Sequence, residues 1–122
     1  MKKLIVLLAI LTIAGCQKQS LPDIAGPTIL GPVNVEYRVT GSTATADVTY
    51  QNSSEGTSQQ SGVSIPWSYS FTKSTEMFLY ISAQKDGNPS TDVTVTIYKN
   101  GSVFKTSTSS GAYVIADAYG DL

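Results

Sequence analysis

From residue 33 the chain alternates apolar and polar side chains with a period of two, the signature of strands with one buried face. In VNVEYRVT (33–40), Val33, Val35, Tyr37 and Val39 share one face, and Asn34, Glu36, Arg38 and Thr40 the other. Gly41-Ser42 follows, a pair suited to a two-residue II′ turn, and TATADVTY (43–50) returns with Ala44, Ala46, Val48 and Tyr50 inward. The pattern predicts a hairpin here. QNSSEGTSQQSG (51–62) holds no apolar side chain and reads as a solvated loop or a long exposed hairpin end. VSIPWSYSFT (63–72) alternates again on Val63, Ile65, Trp67, Tyr69 and Phe71. Pro66 has no N–H to donate, which places this strand at a sheet edge or gives it a bulge.

MFLYISAQ (77–84) is apolar on both faces, as a central strand is, and DGNPSTD (86–92) is turn material. DVTVTIYK (92–99) alternates on Val93, Val95 and Ile97, and Asn100-Gly101 is the strongest hairpin signal in the chain, favouring a type I′ turn. SVFKTSTS (102–109) and AYVIADAY (112–119) complete the set. Seven segments with this spacing predict an all-β fold over residues 33–122, an antiparallel seven-stranded β-sandwich of immunoglobulin-like size. Its core is expected to rest on Tyr37, Tyr50, Trp67, Val95 and Ile97.

The first 32 residues follow a different rule. Lys2 and Lys3 precede LIVLLAILTIAG (4–15), an unbroken apolar-to-small run. Twelve helical residues reach about 18 Å, short of a ~30 Å hydrocarbon core, so residues 1–15 read as a signal peptide rather than a span. Ile13-Ala14-Gly15-Cys16 resembles the bacterial lipobox, in which the cysteine is acylated and the peptide is cut just before it. Cys16 is the one cysteine in the sequence, so no disulfide partner competes for it. Residues 16–32, rich in proline and glycine, form a tether able to extend about 50 Å at ~3.3 Å per residue, with Ile29-Leu30 an alternative start for the first strand. Gln17, rather than aspartate, follows the cysteine, which points to the periplasmic side of an outer membrane.

Charge and composition remove whole classes of function. Eight basic residues stand against nine acidic, and loss of Lys2 and Lys3 with the leader shifts the net charge from −1 to −3. Clustered cations for nucleic-acid phosphates are missing, and no nucleic-acid partner is expected. With no histidine, the usual zinc sites and Ser-His or Cys-His pairs cannot be built, and no cofactor or metal is expected. A Ser-Lys pair or two carboxylates remain formal options, but the acids are scattered and Asp117, between Ala116 and Ala118, comes closest to an apolar setting. Asp86-Gly87-Asn88 with Asp92, or Asp117 with Asp121, offer oxygens to calcium, yet match no complete loop motif and read first as turn chemistry. No catalytic residue is assigned. A second set of aromatics, Phe78, Tyr80, Tyr98, Tyr113 and Tyr119, points away from the predicted core and forms the candidate partner or ligand surface. Cross-strand pairing alone would also account for them.

Three blocks, VEYRVTG (35–41), ADVTYQNSSEGTSQQ (46–60) and VSIPWSYSF (63–71), together resemble the C-terminal domain of the MmpS family of small mycobacterial membrane proteins. The order and spacing of the strand-turn, the glutamine-rich stretch and the Pro-Trp-Ser segment carry the likeness. The resemblance implies a β-sandwich periplasmic domain, without enzyme activity, that assists exporters of the resistance-nodulation-division type. In this chain a lipobox stands where those proteins have a transmembrane helix, and the cysteine pair they tend to carry in the last strands is absent. The expected function is therefore a lipid-anchored accessory or binding module of the cell envelope, with an envelope protein or transporter as its partner. A glycan-binding surface lipoprotein or a structural, adhesive subunit are the alternatives.

Overall fold

The computed structural model describes residues 29–122. The leader, Cys16 and most of the tether lie outside the described residues. Within them all regular structure is strand: β1 (Ile29–Thr40), β2 (Thr45–Gln51), β3 (Thr57–Ser64), β4 (Trp67–Thr75), β5 (Phe78–Lys85), β6 (Asp92–Lys99), β7 (Ser102–Ser110) and β8 (Ile115–Asp121). They form two antiparallel four-stranded sheets, β4-β1-β6-β7 and β3-β2-β5-β8. This is the expected sandwich with eight strands in place of seven. No helix among the described residues is long and apolar enough to cross a membrane.

The core is the inward half of the alternation. Val35, Tyr37 and Val39 of β1 and Val93, Val95 and Ile97 of β6 meet Val48 and Tyr50 of β2 and Leu79, Ile81 and Ala83 of β5, all buried. Five rings then run along one side of this layer. Tyr37 stacks on Tyr69 at 6.2 Å, Tyr50 tilts against Tyr69 and Trp67 at 4.7 and 5.2 Å, and Phe71 meets Tyr37 edge-on at 5.7 Å. Offset and edge-to-face pairs of this kind add stabilisation beyond the area they bury. Trp67 is half-buried against the core rather than inside it, because β4 is an edge strand.

The eighth strand comes from the polar stretch. A tight turn occupies Asn52–Gly56, where the Asn52 carboxamide accepts from the amides of Ser54 and Gly56, and β3 then pairs back onto β2. The long-hairpin reading of 51–62 is the correct one. Between Ala46 and Val48 the register slips by one residue, and Gly62, at φ 62°, takes the bulge while its N–H donates to Asp47 Oδ1 at 2.8 Å. The segment 63–72 is not one strand. It breaks at Ile65-Pro66, where the chain leaves the edge of one sheet for the edge of the other, so Pro66 removes no ladder bond.

Gly41-Ser42 does not close a hairpin. β1 and β2 belong to different sheets, and the turn is a corner between them. Its partner is the start of β6: Ser42 N–H donates to Asp92 Oδ1 at 2.8 Å and Thr43 N–H to the Asp92 carbonyl at 3.1 Å. A Cβ on Gly41, at φ 137°, would lie 2.5 Å from that carbonyl, so the corner needs glycine. The rotation at the corner exposes Ala44 and buries Thr43, the reverse of the expected alternation. By contrast, Asn100 (φ 51°) and Gly101 (φ 82°) make the predicted I′ turn between β6 and β7. β8 starts at Ile115 instead of 112, leaving Tyr113 in the preceding turn.

Candidate functional site

The five candidate aromatics do not share a face. Phe78 and Tyr80 of β5 and Tyr119 of β8 lie on the outer surface of the second sheet. Tyr80 pairs directly opposite Tyr119, and the Phe78 and Tyr119 rings are 6.2 Å apart. Phe78 is 48% and Tyr119 56% exposed, and Tyr80 is half-buried between them. Ile115 extends the same face along β8. Tyr98 is on the opposite sheet, and Tyr113 sits at one end of the sandwich. Sequence alternation finds the outward positions but not the sheet each strand joins, which is why one predicted surface resolves into three places.

Around Tyr98 a polar constellation emerges. Glu36 and Arg38 are alternate residues of β1, and Glu36 faces Tyr98 across the ladder to β6. Arg38 donates through Nη2 to Glu36 Oε1 at 2.8 Å and through Nε to Oε2 at 3.2 Å, a two-point grip. Its guanidinium carbon lies 4.4 Å over the Tyr98 ring, and Nη1 donates to the phenol oxygen at 3.3 Å. The hydrogen bond to the Glu36 carboxylate raises Arg38 above its ordinary value. Beside it lies a hollow of about 350 Å³ lined by Asn34, Glu36, Ser70, Thr72 and Tyr98. Thr72 Oγ1 donates to Asn34 Oδ1 at 2.8 Å, which fixes that wall. The period-two spacing of Glu36 and Arg38 is visible in sequence, but nothing there says that Tyr98 is across the ladder.

Tyr113 belongs to a corner organised by a buried lysine. Lys85, 1% exposed, ends β5, and its ammonium donates to the carbonyls of Asp86 at 3.0 Å, Gly111 at 2.7 Å and Asn88. The Asp86 carboxylate is 3.5 Å away. Three donors meet three acceptors, the condition under which a buried cation is tolerated. Tyr113, at φ 57°, donates its N–H to the Asp86 carbonyl and lays its ring on Gly87, where a Cβ would come within 2.6 Å of the ring. The carbonyls of Asp86 and Asn88 thus face an ammonium, their side-chain Oδ1 atoms accept from the Asn88 and Ser90 N–H groups, and Asp92 accepts from Ser42 through its carboxylate. Asp117 and Asp121 point outward four residues apart on β8, about 13 Å along an extended strand and too far to share an ion. Among the described residues no three acidic or thiol groups cluster as a metal site would need. The Asp117 carboxylate is exposed, not set in an apolar pocket.

No curated protein matches the chain. A family model described as Mycobacterium membrane protein matches residues 4–117, which takes in both the apolar run 4–15 and nearly all of the sandwich. With the fold as resembled, the chain belongs to this MmpS-type family of mycobacterial membrane proteins.

Proposed function

We propose that the chain is a non-enzymatic accessory module of the cell envelope, held to a membrane by lipid on Cys16 and docking with an exporter of the resistance-nodulation-division type. The observation that carries this reading is the extent of the match to a membrane-protein family, 4–117, which takes in the apolar N-terminal run together with the folded domain. The site geometry supports it. Lys85 has its N–H groups engaged by carbonyls, and Lys73 is held by the Glu55 carboxylate at 2.8 Å and the Ser53 carbonyl at 3.3 Å while the Ser53 hydroxyl accepts from Tyr69, an arrangement of structural contacts. What the sandwich offers instead is exposed aromatic and hydroxyl-rich surface, the equipment of recognition. The periplasmic side of the outer membrane is the proposed location. Crosslinking of the native full chain in intact cells, extraction in mild detergent and mass spectrometry test the reading. Recovery of a large transporter of that class is expected, and recovery of the chain alone overturns it.

The hollow beside Tyr98 favours a second reading, a glycan site, since a phenol ring next to a carboxylate, a carboxamide and two hydroxyls matches the mixed apolar and polar faces of a sugar. Binding on a glycan array that disappears in Tyr98→Ala supports it, and silence of the array removes it.

A further inference from the structure

We propose that the outer face of the second sheet, centred on Phe78, Tyr80 and Tyr119, is the docking surface, and that its occupant is a partner segment bearing arginine or lysine among apolar residues. The inference rests on the docking role proposed above and names the surface and the chemistry of the partner.

Exposed large apolar side chains are few in this domain, and they are not scattered. Of the five such residues, Phe78, Ile115 and Tyr119 share this one face and Tyr113 lies in the turn leading into β8. Grouping of this kind on an otherwise polar sandwich marks an interaction surface. Phe104 and Lys105 of β7 lie against β8 at Gly120, while the Tyr119 ring stands exposed on the outer face of the sheet.

Charge selects the occupant. The charged side chains on this face are Asp47, Asp117 and Asp121, and none of them is in an ion pair among the described residues. The one cation in β2, β3, β5 and β8 is Lys85, turned inward and buried. The other four cations of the described residues, Arg38, Lys73, Lys99 and Lys105, all belong to strands of the opposite sheet. Asp117 and Asp121 flank Tyr119 on β8, each about 7 Å from it along the strand. Asp117 pairs opposite Ser82 and Asp121 opposite Phe78. A guanidinium stacked on either exposed ring therefore has a carboxylate within reach, combining a cation–π contact with a charge-assisted hydrogen bond. A second copy presenting the same face is disfavoured, because it would set three unpaired carboxylates against three more. One presenting its opposite sheet offers Arg38 and Lys73 already paired with Glu36 and Glu55, and Lys99 and Lys105 already drawn over the Phe104 ring.

The test uses the full chain in zwitterionic detergent micelles and a peptide of alternating arginine and leucine, with an alternating glutamate and leucine peptide and empty micelles as controls. The expected result is amide shifts confined to the outer positions of β5 and β8, with affinity that falls as salt rises. Asp117→Asn/Asp121→Asn should weaken binding about tenfold, as should Tyr119→Ser, with the thermal midpoint unchanged. Shifts on the opposite sheet, equal binding of the acidic peptide, or unaltered affinity of the double variant would overturn the proposal. Sedimentation showing self-association lost in the double variant would overturn it too, making a second copy the occupant. The two readings separate in cells. A transporter captured equally by native chain and double variant sinks this face and leaves the accessory role. Peptide binding mapped to β5 and β8 with no transporter captured sinks the role and leaves the face.

Discussion

Tyr37 carries a hydroxyl into the middle of the sandwich. Its ring is fully buried among Tyr50, Tyr69 and Phe71, and the hydroxyl has no partner with hydrogen-bond geometry. Burial drives its ionisation far above the ordinary tyrosine range, and the nearby Tyr80 backbone amide offsets only part of that effect. A buried donor left unmade costs on the order of 1–3 kcal/mol, while the ring itself contributes packing. Tyr37→Phe should therefore keep the ring contacts and stabilise the domain by about 1 kcal/mol, read by urea denaturation. A loss of that size would show that the hydroxyl is bonded in solution. Tyr37→Ala removes the ring as well and should cost about 3–5 kcal/mol, which separates the role of the ring from that of its oxygen.

Among the elements, the corners were the part the sequence hid. Alternation located seven of the eight strands, and Asn100-Gly101 fixed a real hairpin, because both signals are local. Whether Gly41-Ser42 joins neighbours in one sheet or bridges two depends on Asp92, fifty residues away, and no local pattern reports that. The same distance effect hid the Lys85 corner, where one ammonium gathers carbonyls from the β5–β6 and β7–β8 connections. Lys85→Met keeps the chain length but leaves those carbonyls without their donor, and should cost about 3 kcal/mol in chemical denaturation. A cost below about 1 kcal/mol would mean water replaces the ammonium freely. The adjoining acids titrate predictably. The Ser42 N–H and hydroxyl hold Asp92 below the usual carboxylate range, and the Asn88 N–H, aided by Lys85, does so for Asp86. Carboxyls depressed in the folded state stabilise it above their unfolded value, about 4, and lose that contribution as pH falls through the folded value. The thermal midpoint should thus hold from neutral pH to about 4 and drop below it, and Asp92→Asn should flatten the drop. An identical acid limb in that variant would place the titrating group elsewhere.

For the whole molecule, the direction of the chain sets how the domain meets its surroundings. Asn100 N–H donates to the Asn34 carbonyl at 2.7 Å, so the start of β1 and the tip of the β6–β7 hairpin share one end of the sandwich, and the Lys85 corner is at the other. The chain thus enters the sandwich at the hairpin end, and the two sheet faces flank that direction, with Phe78 and Tyr119 on one of them. Membrane-family membership alone is met by two kinds of attachment, an acylated cysteine or an uncleaved apolar helix, and the twelve residues before Cys16 favour the first by length. Two or three acyl chains hold a protein stably, whereas one is marginal. Cys16→Ser removes the acylation site without touching the sandwich. The variant should leave the washed membrane fraction for the soluble one, with the thermal midpoint of the domain unchanged. Retention in the membrane at native level, with no acyl mass on the purified chain, would instead assign the attachment to the apolar run 4–15 and set the tether's origin inside the bilayer rather than on its surface.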